Sequence, residues 1–267
     1  MKPETYPDII YKYRSWSNIF HKKILIEGEV YLSAPKHFND PFDFRIPKNY
    51  FLLDSQEKIK KYVDNGIEKQ KEWLLANGRD LELERIQHLK RIENLEQYQK
   101  EHEEIETEAT DKHYGVLSLS ARWDSILMWS HYGDFHKGFN IGYNETKMRE
   151  SGLFGKGGPV SYSTDFPCID PFSEHSMQTS FMQTHYKSKE WEYEQEYRLT
   201  KLFFPDPATE QQRIIKIPFE YVEEINLGIA ISEQDRNEIL KLAQERNIIV
   251  YQLKKTPFKF EFFREKV

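Results

Sequence analysis

The composition of the chain changes twice along its length, and these changes constrain the fold more than any other feature. Residues 55–110 are rich in Glu, Lys, Gln and Leu and contain no proline, a composition typical of long solvated helices. Residues 1–53 and 113–267 instead contain short β-branched and aromatic runs, which are typical of strands. We therefore predict one domain over residues 1–267 with a helical insertion at 55–110.

The insertion is predicted to be a charged helical hairpin. Asn77-Gly78 interrupts the helical composition and marks a turn between two helices. The apolar residues Ile86, Leu89 and Ile92 then recur at three-residue steps. Such a narrow stripe packs against the body of the domain or against a second copy of the chain. A homo-oligomer formed through the insertion is therefore one of two expectations.

The order of the predicted elements indicates an α+β fold with mainly antiparallel pairing. Helices at 125–132, 172–186 and 232–246 do not alternate regularly with the strands, as they would in a parallel α/β fold. The predicted strands lie at 9–14, 30–33, 115–120, 138–143, 160–163, 192–202, 213–217, 224–228, 248–253 and 258–263. Each of these runs is short and consists mainly of β-branched or aromatic residues.

Charge and cysteine usage exclude several classes of protein. The net charge of −6 and the isoelectric point near 5.9 argue against a broad basic surface for nucleic acid, although a local patch and a nucleic-acid substrate stay open. Cys168 is the single cysteine, which excludes a disulfide framework and suits a reducing cytoplasm. No apolar run approaches the roughly 18–20 residues that span a bilayer, and the N-terminus lacks a signal pattern. We therefore expect a cytoplasmic protein without membrane partners.

A row of acidic residues in the predicted strand 192–202 is one candidate for chemistry. Glu192, Glu194 and Glu196 alternate along this strand, so they would share one face with Arg198. Like charges on one face repel each other, which leaves two interpretations. The row is either solvated, or it lies in a cleft where nearby apolar surface perturbs the carboxylate pKa values and gives them a function.

The first predicted strand offers positive charges. Tyr11 and Tyr13 would share one face, and Lys12 and Arg14 would share the other. One face would then enter a core while the other presents cations to an anion such as a pyrophosphate. An exposed edge strand is the alternative.

A turn follows the second predicted strand, where Ser33 is succeeded by the sequence APKHFNDPFD. Asn39 and Asp40 precede Pro41, an arrangement that favours turn geometry and hydrogen bonds to the local backbone. A defined polar loop at the end of a strand suits either a ligand or a structural turn, and both stay open.

A further segment combines two serines with a short helix and two histidines. Ser118 and Ser120 end a predicted strand, and His131 and Tyr132 lie at the exit of the helix that follows. The spacing of His131 and His136 is near that of zinc-finger histidines, but no Cys-x-x-Cys pair precedes it. We therefore predict no metal site and a buried, hydrogen-bonded role for the first histidine.

Four segments of the chain resemble the DUF2971 family, whose members are bacterial proteins of uncharacterised function. The resemblance lies in YKYRS at 11–15, LSAPKHFNDPFD at 32–43, SLSARWDSILMWSHYGDFHKGFNIGY at 118–143 and KSKEWEYEQEYRL at 187–199. It covers most of the chain outside the helical insertion.

The order of polar residues is also distantly similar to that of the ADP-ribosyltransferase fold, whose enzymes bind NAD in a cleft of two small sheets. That fold carries an aromatic residue, His or Arg on an early strand, a serine or turn on the next, and a Glu or Glu-x-Glu on a late strand. This chain offers in the same order Tyr13 and Arg14, then Ser33 with Asn39 and Asp40, then Glu194 and Glu196. The resemblance implies two small sheets that form a cleft, with NAD bound as a substrate.

The resemblance also implies roles for these residues. Cleavage of the bond between nicotinamide and ribose builds positive charge on the sugar, which Glu196 would stabilise while Glu194 orients the acceptor or acts as its base. Arg14 would hold a phosphate, and Ser33 and Tyr13 would position the nicotinamide end. The other residues expected to bind NAD or a related nucleotide are Asn39, Asp40, Ser118, Ser120, His131 and Tyr132. Protein, nucleic acid and water all stay open as the acceptor.

Three functions are compatible with these patterns. The first is an NAD-dependent ADP-ribosyltransferase or NAD glycohydrolase that acts as a bacterial toxin or phage-defence effector. The second is a metal-dependent nuclease or phosphoryl-transfer effector whose acidic row holds Mg²⁺. The third is a non-catalytic module that binds a ligand or a partner.

Overall fold

A computed structural model describes residues 6–174 and 176–267. The strands are β1 (Ile9–Arg14), β2 (Glu29–Tyr31), β3 (Tyr114–Ser120), β4 (Phe139–Asn144), β5 (Lys156–Pro159), β6 (Ser161–Ser163), β7 (Tyr186–Ser188), β8 (Glu196–Leu202), β9 (Ile214–Lys216), β10 (Val222–Leu227), β11 (Ile249–Lys255) and β12 (Phe262–Lys266). The helices are α1 (Ile19–Ile26), α2 (Gln56–Ala76), α3 (Leu81–Ile92), α4 (Leu95–His113), α5 (Ile126–His131), α6 (Glu145–Glu150), α7 (Met177–Thr184) and α8 (Glu233–Glu245). Within the described residues, none of the helices has the length and apolar character needed to span a bilayer.

Eight of the strands form one sheet in the order β12-β11-β10-β4-β1-β3-β8-β5. β10 and β11 are parallel, and the other neighbours in this sheet are antiparallel. β2 pairs with β9, and β6 pairs with β7, in two-stranded sheets. The predicted α+β class with mainly antiparallel pairing is confirmed.

The continuous eight-stranded sheet replaces the predicted arrangement of two small sheets that form a cleft. β1 pairs with β4 on one side and with β3 on the other, so it joins the two halves of the sheet. The side chains of Ile10, Leu119 and Ile141 on these three strands are buried in one core. This shared apolar face favours one broad sheet, because each strand buries its side chains against the same layer.

The chain divides into two compact units. The first unit contains residues up to 39, residues 111–164 and residues 187–267, and the second contains residues 40–110 and 165–186. The predicted insertion at 55–110 lies within the second unit. The single domain over residues 1–267 stays a prediction.

The insertion forms three helices where a two-helix hairpin is predicted. α2 ends at Ala76, and Gly78 makes the predicted turn with a φ of 67°. A second break follows Ile92, where the Asn94 side chain accepts the N–H of Gln97 as α4 begins. A side-chain cap of this kind starts a new helix, so it divides the helix that composition alone predicts as continuous.

The apolar stripe of the insertion packs inside the second unit. Ile92 is buried together with Tyr50 and Val63, and Leu89 packs against this cluster. Ile86, at the other end of the stripe, is exposed. Assembly of a homo-oligomer through the insertion stays a prediction.

The main sheet of the first unit has one apolar face. Ile10, Leu119, Ile141 and Leu199 lie on this face and share a core with Ile239 of α8. Successive side chains of a strand point to opposite faces, so the residues between these positions point to the other side of the sheet.

The opposite face carries a polar row that the strand register aligns. The strand register places five residues opposite one another, one on each of β10, β4, β1, β3 and β8. In this order they are Glu224, Gly142, Tyr11, Ser120 and Glu196. Directly opposed residues project to the same side of a sheet. A Cβ at Gly142 would lie only 2.8 Å from the Tyr11 ring and 3.1 Å from the Glu224 side chain, so glycine is what lets those two side chains meet.

The predicted strand 192–202 is wrong at its beginning. Lys189–Glu194 is a 3₁₀ helix, Gln195 has left-handed backbone angles with φ 39° and ψ 54°, and the strand begins only at Glu196. The acidic residues therefore do not form one strand face, and Glu192 is exposed.

Side-chain capping explains this departure from the strand pattern. The Ser188 hydroxyl accepts the N–H of Glu190 at 3.4 Å and begins the 3₁₀ helix. The N–H of Gln195 donates to the Glu192 carbonyl at 3.1 Å and ends it. These local bonds satisfy the backbone without a partner strand, so they outweigh the strand preference of the aromatic residues.

The left-handed backbone at residue 195 gives a stability prediction. Gln195→Val should lower the free energy of unfolding by about 1–2 kcal/mol, because a β-branched residue is strained in this region. Gln195→Gly should change it by less than about 1 kcal/mol, since glycine adopts the left-handed region freely but has more entropy to lose. Denaturant unfolding measures both values. If both variants lose the same free energy of unfolding, the loss comes from removal of the Gln195 side chain and not from its backbone conformation.

Candidate functional site

Two buried glutamates and one buried lysine form the centre of the candidate site. Lys187 Nζ lies 2.6 Å from Glu194 Oε2 and 3.2 Å from Glu196 Oε2. Glu194 and Glu196 are only 3% and 4% exposed. Buried charges are costly unless they are paired, so the lysine is what allows both carboxylates to lie beneath the surface.

Arg198 completes the environment of Glu196. Its Nε donates to Oε1 at 2.7 Å and its Nη2 donates to Oε2 at 2.9 Å, which makes a bidentate pair. Burial raises the pKa of Glu196, but Arg198, Lys187 and a hydrogen bond from Ser118 outweigh burial and lower the pKa to about 2. Glu196 is therefore ionised at neutral pH.

Glu194 has the opposite electrostatic behaviour. Burial raises the pKa of Glu194, and the negative charge of Glu196 adds to this effect, whereas Lys187 opposes it; the net result is a raised pKa. The Tyr132 hydroxyl donates to Glu194 Oε1 at 2.6 Å. The two carboxylates share one lysine, but their pKa values are shifted in opposite directions. Such a pair can divide its roles, with Glu194 exchanging a proton and Glu196 staying ionised.

Contacts to the backbone hold the two glutamates in place. The Ser120 hydroxyl donates to the Glu194 carbonyl at 2.6 Å, and the Glu196 N–H donates to the Tyr162 hydroxyl at 2.7 Å. The left-handed turn at Gln195 lies between them. This turn is why a residue of the 3₁₀ helix and a residue of β8 can reach the same lysine.

α5 delivers Tyr132 and His131 to the site. The Ser125 hydroxyl accepts the N–H of Met128 and caps the N-terminus of the helix, and Tyr132 follows its last residue. His131 Nδ1 shares a 2.9 Å hydrogen bond with the Tyr193 hydroxyl. The predicted hydrogen bond of His131 is thus present, but the side chain is exposed and not buried.

The end of the segment after β2, at Phe38 and Asn39, contributes to the site. The Asn39 side chain makes a hydrogen bond to Tyr132, and the Phe38 ring lies 5.7 Å from the Arg198 guanidinium. The predicted site residues that the structure brings together are Asn39, Ser118, Ser120, His131, Tyr132, Glu194 and Glu196.

Arg14 and Tyr13 lie away from the carboxylates. The predicted alternation along β1 is present, and Arg14 pairs with Phe139 on the apolar side of the sheet, opposite to the glutamates. Tyr13 lies on the polar side, where its hydroxyl donates to the Arg122 carbonyl at 2.6 Å. The structure therefore does not bring Arg14 beside the acidic residues, and the roles of both residues toward a ligand stay predictions.

Ser33 also lies away from the glutamates. Ser33 makes two 2.9 Å backbone hydrogen bonds with Val116, four residues along β3 from Ser120 and thus roughly 13 Å away. Asp40 belongs to the second unit, where its Oδ1 accepts the N–H of Phe42 at 2.9 Å. This bond forms the predicted turn, and the contact of either residue with a ligand stays a prediction.

Sequence reasoning missed Lys187 and Tyr162. Lys187 precedes the two glutamates by seven and nine residues, separations that match neither helical nor strand spacing. Tyr162 comes from β6, and only the fold brings it to Glu196. The position of Lys187 in a strand-like run, between Tyr186 and Ser188, could have indicated its role. A lysine that a strand buries needs a charged partner.

Part of the chain matches a protein-family model. Residues 128–199 match the family model described as Protein of unknown function (DUF2971). This segment includes Tyr132, Lys187, Glu194 and Glu196, so it contains the centre of the candidate site. Neither the curated proteins nor the solved structures gave a match. The match over residues 128–199 supports the resemblance to the DUF2971 family that the motifs of the chain predict.

Proposed function

We propose that the site around Glu194 and Glu196 transfers or hydrolyses the ADP-ribose group of NAD. The observation that supports this proposal is the pair of buried carboxylates whose pKa values are shifted in opposite directions. A reaction through an oxocarbenium-like transition state uses such a pair, because one group stays ionised while the other exchanges a proton. The distant resemblance of the order of polar residues to that of the ADP-ribosyltransferase fold makes NAD the first substrate to test.

Glu194 is the carboxylate that can accept further hydrogen bonds, from a substrate. Each of its oxygens accepts one hydrogen bond, from Tyr132 and from Lys187, which leaves lone pairs for a ribose or acceptor hydroxyl. Glu196 already accepts three bonds from Arg198 and Lys187. We therefore assign the reactive role to Glu194 and a positioning role to Glu196, which reverses the roles that the resemblance implies.

In the proposed reaction, the bond between nicotinamide and ribose breaks and its electron pair leaves with nicotinamide. The Glu194 carboxylate stabilises the cation that develops on the sugar, and the acceptor oxygen forms the new bond at the same carbon. The acceptor proton passes to Glu194, directly or through the Tyr132 hydroxyl. A raised pKa improves Glu194 as a base near neutral pH, and burial together with Glu194 raises the pKa of Tyr132, which keeps its proton available.

The two alternatives are less well supported. The metal-dependent alternative places Mg²⁺ on the acidic row, where Lys187 and Arg198 already form ion pairs with Glu194 and Glu196. A non-catalytic binding module has no need for two glutamates whose pKa values are shifted in opposite directions, so this feature does not favour it. The acceptor, a cytoplasmic setting and a role as a toxin or phage-defence effector remain parts of the proposal that need their own experiments.

Substitution of Glu194 tests the proposal directly. Glu194→Gln should lower the rate of nicotinamide release from NAD by about 100-fold or more, because an amide cannot accept the acceptor proton. Glu192→Gln, a change of the exposed glutamate on the same 3₁₀ helix, is the matched control and should retain the rate. Full activity in Glu194→Gln would refute the reactive role, and no turnover by the unmodified protein would remove NAD as the substrate.

The positioning role of Glu196 predicts a pH-dependent stability. Glu196→Gln should lower the free energy of unfolding by about 3 kcal/mol at pH 7, because Arg198 loses its buried counter-charge and Lys187 keeps only Glu194. The folded pKa of about 2 lies below the ordinary value of 4.5, so this stabilisation is complete above pH 4.5 and is lost as the pH falls toward 2.

Denaturant unfolding over this pH range provides the measurement. The difference between the unmodified protein and Glu196→Gln should narrow as the pH falls from 4.5 toward 2. A difference that stays constant with pH would assign the loss to packing and not to charge.

A further inference from the structure

The loop between β11 and β12 carries two exposed aromatic side chains. Phe258 and Phe260 are almost fully exposed, and Phe258 has a φ of 59°, which is unfavourable for a bulky residue. The Thr256 N–H donates to the Glu261 carbonyl at 2.9 Å, and the Lys259 N–H donates to the Thr256 carbonyl at 3.2 Å. These bonds give the loop a defined shape that holds both rings in solvent.

The same hairpin is basic although the whole chain is acidic. Residues 249–267 contain five Lys or Arg and two Glu, whereas the chain has a net charge of −6. Lys254 is paired with Glu265 at 2.5 Å. Lys255 and Lys259, which flank the exposed rings, are themselves exposed. Lys259 Nζ lies 3.6 Å from Glu261 Oε2 in a solvent-exposed ion pair, which is weak enough for a phosphate to replace the carboxylate. The hairpin therefore combines apolar ring faces with positive charge at a single place on the surface.

We propose that this hairpin binds single-stranded nucleic acid. Proteins that bind single strands stack aromatic side chains on successive bases and contact the phosphates with cations. Phe258 and Phe260 supply two neighbouring rings, and Lys255 and Lys259 supply the cations beside them. Because the rest of the chain is acidic, the phosphates are attracted to this hairpin and repelled from most other surfaces.

A phosphate-rich lipid surface would meet the same charges, but it fits the hairpin less well. Insertion of Phe260 into lipid would carry the adjacent Glu261 carboxylate out of water, at a cost in free energy. Stacking of the ring on a base leaves that carboxylate solvated. The proposal is independent of the proposed reaction at Glu194, because no residue of that site takes part.

The first experiment is a titration of a fluorescein-labelled oligothymidylate with the purified full chain at low salt, followed by anisotropy. We expect binding, and we expect Phe258→Ala and Phe260→Ala each to weaken it by about tenfold, because each variant removes one stacking partner. Phe20→Ala, which removes another exposed ring, is the matched control and should leave the affinity unchanged.

The salt dependence of binding tests the phosphate contacts. The logarithm of the affinity should fall linearly with the logarithm of the salt concentration, by about 0.7 for each phosphate contact. The double variant Lys255→Ala with Lys259→Ala should have a smaller slope, whereas Lys60→Ala, an exposed lysine of α2, should keep the full slope.

Several results would overturn the inference. They are an absence of binding at low salt, unchanged affinity after loss of both rings, and equal affinity for a duplex of the same length, which would remove the need for stacking. Binding to vesicles that contain phosphatidylserine, with none to the oligonucleotide, would assign the hairpin to a lipid surface instead.

Discussion

The ammonium group of Lys187 is the contact on which the candidate site depends. It lies within hydrogen-bonding distance of Glu194 and Glu196, two carboxylates that would otherwise repel each other in a buried position. Arg198 adds a second positive charge from within β8, so two cations balance two anions. Removal of any one of these groups leaves a buried charge without its partner, which couples β7, the 3₁₀ helix and the main sheet.

A second ionic cluster lies at the other end of the same polar row. The Tyr11 hydroxyl donates to Glu224 at 3.0 Å, and Arg264 donates to the same carboxylate. The Arg264 guanidinium also lies 4.5 Å from the Trp123 ring and 4.3 Å from the Tyr251 ring, contacts that favour a cation over an aromatic face. Two satisfied charge clusters on one sheet face specify the register of the strands between them, because a slipped strand would leave buried charges unpaired.

Local patterns predicted those features that depend on neighbours in the sequence. The alternation along β1, the turn made by Asp40 and the helix break at Gly78 follow from side-chain periodicity and turn chemistry. The beginning of β8 could not be predicted in this way, because the Ser188 cap and the left-handed Gln195 replace a strand pairing that the aromatic residues favour. The partnership of Lys187 with the glutamates and the continuity of the sheet depend on contacts between distant segments, which periodicity does not contain.

The register of the polar row also determines where the chain tolerates changes in length. A single residue inserted into β3 would exchange its two faces, placing Leu117 and Leu119 beside the charges and Ser118 and Ser120 in the apolar core. Connections between strands carry no such constraint, and a long loop adds little to the entropic cost of closure. The two stretches of the second unit enter the sequence after β2 and after β6. Both stretches therefore lie in connections between strands, where a change in length leaves the alternation of side chains along every strand of the sheet unchanged.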